Sequence, residues 1–71
     1  DLVLKLPDGA LWAIEIKRTT APKVSRGFHI AAAELDVRER TLVYAEQREV
    51  AGQGGVRAMP LGMAMERLRN A

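Results

Sequence analysis

Cysteine is missing from this 71-residue chain, and histidine occurs once, as His29. The first absence rules out disulfides and thiolate metal sites. The second rules out a zinc site built from several histidines of this chain alone. A cysteine-free protein suits a reducing, cytoplasmic setting. No apolar run comes near the roughly 18 residues that a membrane span requires, so no membrane partner is expected. Charge of one sign is also scarce: 11 Lys and Arg stand against 9 Asp and Glu, a net charge of +2. That balance permits contact with nucleic acid without arguing for it. No secretory signal is visible, but the first residue already sits in a strand-like pattern, so the start of the gene product is expected upstream. What is present is an apolar fraction of 48%, which does not suggest disorder. The chain reads as one small domain over residues 1–71, without repeats, and marginal in size for a core of its own.

Residues 1–18 read as a β-hairpin. Leu2, Leu4 and Leu6 alternate with Asp1, Val3 and Lys5, which is strand period. Pro7-Asp8-Gly9 is turn chemistry, and Leu11 to Lys17 is again rich in strand formers. A three-residue loop puts Pro7 and Asp8 at the centre of a type I turn and Gly9 in the left-handed bulge position. Leu6 then pairs with Ala10, and stepping outward brings Asp1 opposite Glu15 with Lys17 on the same face. The other face collects Leu2, Leu4, Leu6, Trp12, Ile14 and Ile16. A two-residue Asp8-Gly9 loop would shift the register by one and send Asp1 and Glu15 to opposite faces. It would also mix polar and apolar side chains on both sides.

Beyond the hairpin, Thr20 can cap a helix and Pro22 suits a first helical turn. Val24, Phe28, Ala31, Ala32 and Leu35 form one helical stripe, and Gly27 within it marks close packing or a weak spot. Val37 to Arg40 reads as a turn, Thr41 to Ala45 as a strand, and 46–55, ending in Gly52-Gln53-Gly54-Gly55, as a flexible loop. Val56 to Met59 reads as a short strand. Leu61, Ala64, Met65 and Leu68 predict a last helix, with Arg67 and Arg69 in its final turn, where the dipole favours cations. The order strand, strand, helix, strand, strand, helix predicts an α/β (α+β) sheet with a helical crossover after the hairpin.

The residues that carry chemistry are Asp1 and Glu15-Ile16-Lys17. Two carboxylates on one sheet face can hold a hard divalent cation such as Mg²⁺, with the Ile16 carbonyl as a further oxygen ligand. Such a metal polarises a phosphodiester and lowers the pKa of a bound water. Lys17 could orient that water or stabilise transition-state charge. An E-x-K on a strand is a weak motif by itself, since charged residues at period two are what any half-exposed strand shows.

The pattern Asp1…Glu15-Ile16-Lys17 resembles the D…(D/E)xK signature of the PD-(D/E)xK, or restriction-endonuclease-like, superfamily. The longer stretch from Leu11 to Arg18, followed by Ala21 to His29, is similar to an uncharacterised C-terminal domain of bacterial and archaeal AAA-type ATPases. The resemblance is most specific over residues 1–28 and loose after Arg48. It implies a core of helix, three strands, helix, strand, of which the first helix and first strand have no counterpart here. The chain is therefore expected to be the C-terminal fragment of a larger nuclease-like domain. Asp1 and Glu15 would be metal carboxylates for Mg²⁺ or Mn²⁺, Ile16 a carbonyl ligand and Lys17 the catalytic lysine. The resemblance also implies an ATPase domain on the same polypeptide. An open sheet edge in such a fragment would invite a homodimer or domain swap. A non-catalytic module that binds nucleic acid or protein on a degenerate nuclease fold is the alternative.

Arg18, Lys23 and Arg26 cluster just after the motif and are candidates for nucleic-acid phosphate contacts, or form a solvated helix face. His29 could serve as a general base or be a boundary residue. Trp12 could stack on a base, but its place on the apolar face favours core packing. Met59, Met63 and Met65 read as core fillers or as part of a partner-facing helix. Gly52 to Gly55 lacks the GK[ST] ending of a phosphate loop, so no ATP site is expected in this chain.

Overall fold

The structure, a computed structural model, describes residues 1–71. Five strands and two α-helices follow one another as β1 (Leu2–Lys5), β2 (Leu11–Ile16), α1 (Arg26–Glu34), β3 (Glu39–Val43), β4 (Val50–Ala51), β5 (Val56–Met59) and α2 (Leu61–Arg69), with a 3-10 turn at Gln53–Gly55. The sheet order is β1-β2-β3-β5-β4. Strands β2, β3 and β5 run parallel, while β1 and β4 are antiparallel edges. The domain is an α+β sheet with one helix on each face. No helix is long and apolar enough to cross a membrane.

The hairpin register follows from its turn. Gly9 N donates to Leu6 O and Leu6 N to Ala10 O, both at 2.8 Å, and Gly9 has φ of 91°. This is the three-residue loop closed by a left-handed glycine. Leu2 consequently pairs with Ile14, Val3 with Ala13, and Leu4 with Trp12.

Strand alternation splits the core in two. Trp12, Ile14, Val43 and Met59 face α2 and pack on Ala64, with Leu4, Leu6 and Met63 at the margin. Ala13, Leu42, Tyr44, Val56 and Ala58 face α1 and pack on Phe28, Ala32 and the preceding Val24. Leu2 and Ile16 share the α2 side but stay exposed, because the nine-residue α2 does not reach them. Met65 is likewise exposed, whereas Met59 is fully buried.

Several expectations about boundaries are corrected. The cap of α1 is Ser25, not Thr20, and Pro22 lies outside the helix. Ala31 and Leu35 are exposed rather than core residues, since only Phe28 and Ala32 of α1 are buried. Glu39 and Arg40 belong to β3 instead of a turn, and Tyr44 and Ala45 both fall outside it. Polar side chains are tolerated at the start of β3 because Glu39 pairs with Arg67 of α2 at 2.9 Å and Arg40 donates to Gly54 O at 3.3 Å. The segment 46–55 is structured. Tyr44 Oη donates to Arg48 O at 3.0 Å, β4 pairs with β5, and Gly52 N donates to Val56 O at 2.8 Å.

Candidate functional site

Glu15 and Lys17 stand at the carboxyl end of the parallel strand β2, the end at which open α/β sheets bind ligands. The ladder continues past β2: Lys17 N donates to Val43 O at 2.9 Å and Ala45 N to Thr19 O at 2.7 Å. That pairing holds the Glu15-Ile16-Lys17 backbone extended. Glu15 points to the α1 side and is only 2% exposed. Its carboxylate accepts from Ser25 N at 3.0 and 3.3 Å and from Ser25 Oγ at 3.1 Å. Lys17 Nζ lies 3.6 Å from Glu15 Oε1, with its side chain 39% exposed. Burying a carboxylate is costly unless it is paired and hydrogen-bonded, and no buried side-chain polar atom lacks a partner.

The observed β1–β2 pairing ends at Leu2 with Ile14, and Asp1 lies one residue beyond β1, where a continued register would face it to Glu15. Asp1 lines a shallow apolar groove of about 200 Å³ together with Val3, Ala13, Phe28 and Leu35, on the α1 side. Asp1 is exposed. Asp1, Glu15 and Lys17 thus share one side of the hairpin.

The donor set suits a hard divalent cation only as a two-carboxylate site completed by water. Mg²⁺ accepts that arrangement, since it keeps several waters and takes one or two carboxylates. No three His, Cys, Asp or Glu side chains converge anywhere in the chain. Glu15 has part of its acceptor capacity taken up by Ser25, which the sequence did not reveal. The signal was a serine three residues ahead of Phe28, a cap spacing obscured by the nearer Thr20 and Pro22.

The other candidates separate cleanly. Trp12 is buried, and its Nε1 donates to Thr41 Oγ1 at 2.7 Å, which commits the indole to the core. Arg18, Lys23 and Arg26 are all exposed. Lys23 and Arg26 line a second hollow with His29, on the flank of α1 away from Asp1, while Arg18 does not. Comparisons with protein-family models, with curated proteins and with solved structures return no match for this chain.

Proposed function

We propose that this domain is a metal-dependent nuclease-like module acting on nucleic acid, with Asp1 and Glu15 as the metal carboxylates, the Ile16 carbonyl as a further ligand and Lys17 as the catalytic lysine. The observation that supports it is the hairpin register, which brings both acids to one side of the ribbon with Lys17 Nζ 3.6 Å from Glu15. Bound Mg²⁺ or Mn²⁺ would supply Lewis acidity toward a phosphodiester and lower the pKa of a coordinated water. Ser25 donates to the Glu15 carboxylate through its amide and hydroxyl, so a metal would take only the acceptor capacity that remains. Lys17 remains half-exposed, so its ammonium can reach an approaching phosphate oxygen and stabilise the charge that grows there. The pairing with an ATPase domain on the same polypeptide rests on the sequence resemblance over residues 11–29.

The bonds from Ser25 to Glu15 favour a second reading, in which the carboxylate is a structural anchor and the domain binds nucleic acid or protein without turnover. Fold alone does not choose between them, because one fold hosts many functions. Calorimetry with Mg²⁺ and Mn²⁺, alongside cleavage assays on DNA and RNA, separates the two. The nuclease reading expects metal binding and cleavage in the wild type, both lost in Glu15→Gln, and cleavage alone lost in Lys17→Ala. Metal-independent nucleic-acid binding without cleavage under either ion would leave the binding module standing.

A further inference from the structure

Helix α1 divides its face of the sheet into two hollows of opposite character. Toward β1 lies the apolar groove of Asp1. Toward β4 lies an open hollow of about 700 Å³, whose lining includes Lys23, Arg26, His29 and Gln53 and no acidic residue. We infer that this second hollow binds a phosphate group of a nucleic-acid strand, apart from the Asp1–Glu15–Lys17 site; the choice of a nucleic-acid ligand rests on the function proposed above.

Three features of the hollow carry this. First, its cations are left without carboxylate partners. Lys23 and Arg26 pair with no acid, as is also true of Lys5, Arg18, Arg40 and Arg48, but of these six only Lys23 and Arg26 line this hollow. Placing two cations on one concavity costs Coulomb energy that an incoming anion would reverse. Second, glycines bring the turn close to the lining: Gly52 lines the hollow itself, and Gly54 packs behind His29. A Cβ on Gly52 would come 2.8 Å from Pro22 O, and one on Gly54 would come 2.7 Å from His29 Cε1. Gly54 also has a φ of 68°, in the left-handed region. Gly52 is required by the backbone it approaches and Gly54 by its left-handed φ, so the turn seats close to the linker and the histidine ring. Third, the occupant's chemistry follows from the donors. Lysine, arginine, imidazole and amide N–H groups supply several hydrogen bonds to one tetrahedral oxyanion, and arginine can do so bidentately.

The start of α1 adds a favourable dipole, but the Ser25 amide already serves Glu15, so the side chains carry the site.

The test is made with EDTA present, so that metal chemistry does not contribute. Inorganic phosphate is titrated into the protein while backbone amide shifts are followed by NMR. Oligodeoxynucleotides with a 5′-phosphate and with a 5′-hydroxyl are then compared by fluorescence anisotropy. Phosphate is expected to move the amides of residues 23–29 and 51–54. Lys23→Ala and Arg26→Ala are each expected to weaken the oligonucleotide on the order of tenfold. Arg69→Ala, which removes the same charge from a distant ion pair, is expected to leave affinity nearly unchanged. Preference for the 5′-phosphorylated strand assigns the hollow to a terminal phosphate, and equal binding assigns it to an internal phosphodiester. Shifts absent from those residues, or Arg69→Ala weakening binding as much as Arg26→Ala, would overturn the inference. Glu15→Gln keeps the two claims apart. Phosphate shifts that persist in it, with no wild-type cleavage in a separate assay supplied with Mg²⁺ or Mn²⁺, uphold the hollow and sink the nuclease, and cleavage in that assay without phosphate shifts does the reverse.

Discussion

Ser25 meets Glu15 with both of its donors: the amide nitrogen lies 3.0 Å from Oε1 and the hydroxyl 3.1 Å from Oε2. The same hydroxyl accepts from the Phe28 amide at 3.1 Å. One serine therefore caps α1 and fastens it to β2, across a linker with no regular structure between Thr19 and Val24. The acid proposed for the metal is held by the residue that caps α1, so its carboxylate and the start of that helix are coupled.

Replacing Ser25 by alanine removes the cap and strips a buried carboxylate of its hydroxyl partner. A lost cap costs about 0.5–2 kcal/mol, and a buried charged acceptor left short of a donor costs more than a neutral one. Ser25→Ala should lower unfolding stability in urea by about 1–3 kcal/mol, while Ser25→Thr, which keeps the hydroxyl, should lose much less. Equal midpoints for the alanine variant and the wild type would mean that Glu15 is held by something other than Ser25.

Trp12 and Thr41 form the second buried polar contact. The indole N–H donates to the threonine hydroxyl at 2.7 Å, with Thr41 fully buried. Thr41→Val preserves shape but leaves the indole donor stranded in the α2-side core, at a cost of about 1–3 kcal/mol. Trp12→Phe removes the donor instead and adds a cavity. In a double-mutant cycle the two changes should fall short of additivity, because each abolishes the same bond. Strict additivity in chemical denaturation would refute the coupling.

The hairpin could be read from the sequence because its turn is local: Pro7-Asp8-Gly9 fixes the loop, the loop fixes the register, and the register decides which residues share a face. Helix α2 could be read from the spacing of Leu61, Ala64, Met65 and Leu68, and the four residues of β5 from the glycines that precede them and Pro60 that follows. The start of α1 was hidden. Thr20 and Pro22 carry the ordinary signals of a helix start, but Ser25 wins because Glu15, ten residues earlier, takes up its amide and hydroxyl. The start of β3 was hidden too, because Glu39 and Arg40 are stabilised by partners on α2 and the 53–55 turn that no local window contains. Likewise Lys23 and Arg26 were visible as cations, but the hollow joining them to His29 depends on β4 and the turn that follows it.

Two glycines should respond in opposite directions to alanine. Gly27 lies in the first turn of α1, and a Cβ there meets no atom within 4 Å. Gly27→Ala should therefore stabilise, by up to about 1 kcal/mol, through helix propensity and a less flexible unfolded chain. Gly54 is left-handed and its Cβ would strike the His29 ring. Gly54→Ala should destabilise by roughly 1–2 kcal/mol from backbone strain and push the imidazole aside. Thermal melts report the first effect, and the ring NMR signals of His29 report the second. A Gly27→Ala melting temperature below that of the wild type would show close packing at that position.

Asp8, in the hairpin turn, gives the domain a defined acid response. Its carboxylate accepts the Ala10 amide at 3.0 Å and the Arg38 guanidinium at 2.6 Å. The Ala10 bond first and the Arg38 bond second hold its carboxyl below the ordinary 3.8. A group depressed on folding binds its proton more readily in the unfolded chain, so stability rises with pH wherever the unfolded state carries more protons. The contribution of Asp8 is thus fully present above 3.8 and is lost as pH falls through the lower, folded-state value. Asp8→Asn retains a carbonyl for the Ala10 amide but has no proton to take up. Its stability should change less than that of the wild type as pH is lowered from about 5 to about 2, and Arg38→Ala should flatten the curve in part. Urea midpoints across that range measure the difference. Parallel curves for the wild type and Asp8→Asn would show that the turn carboxylate titrates alike in the folded and unfolded chains.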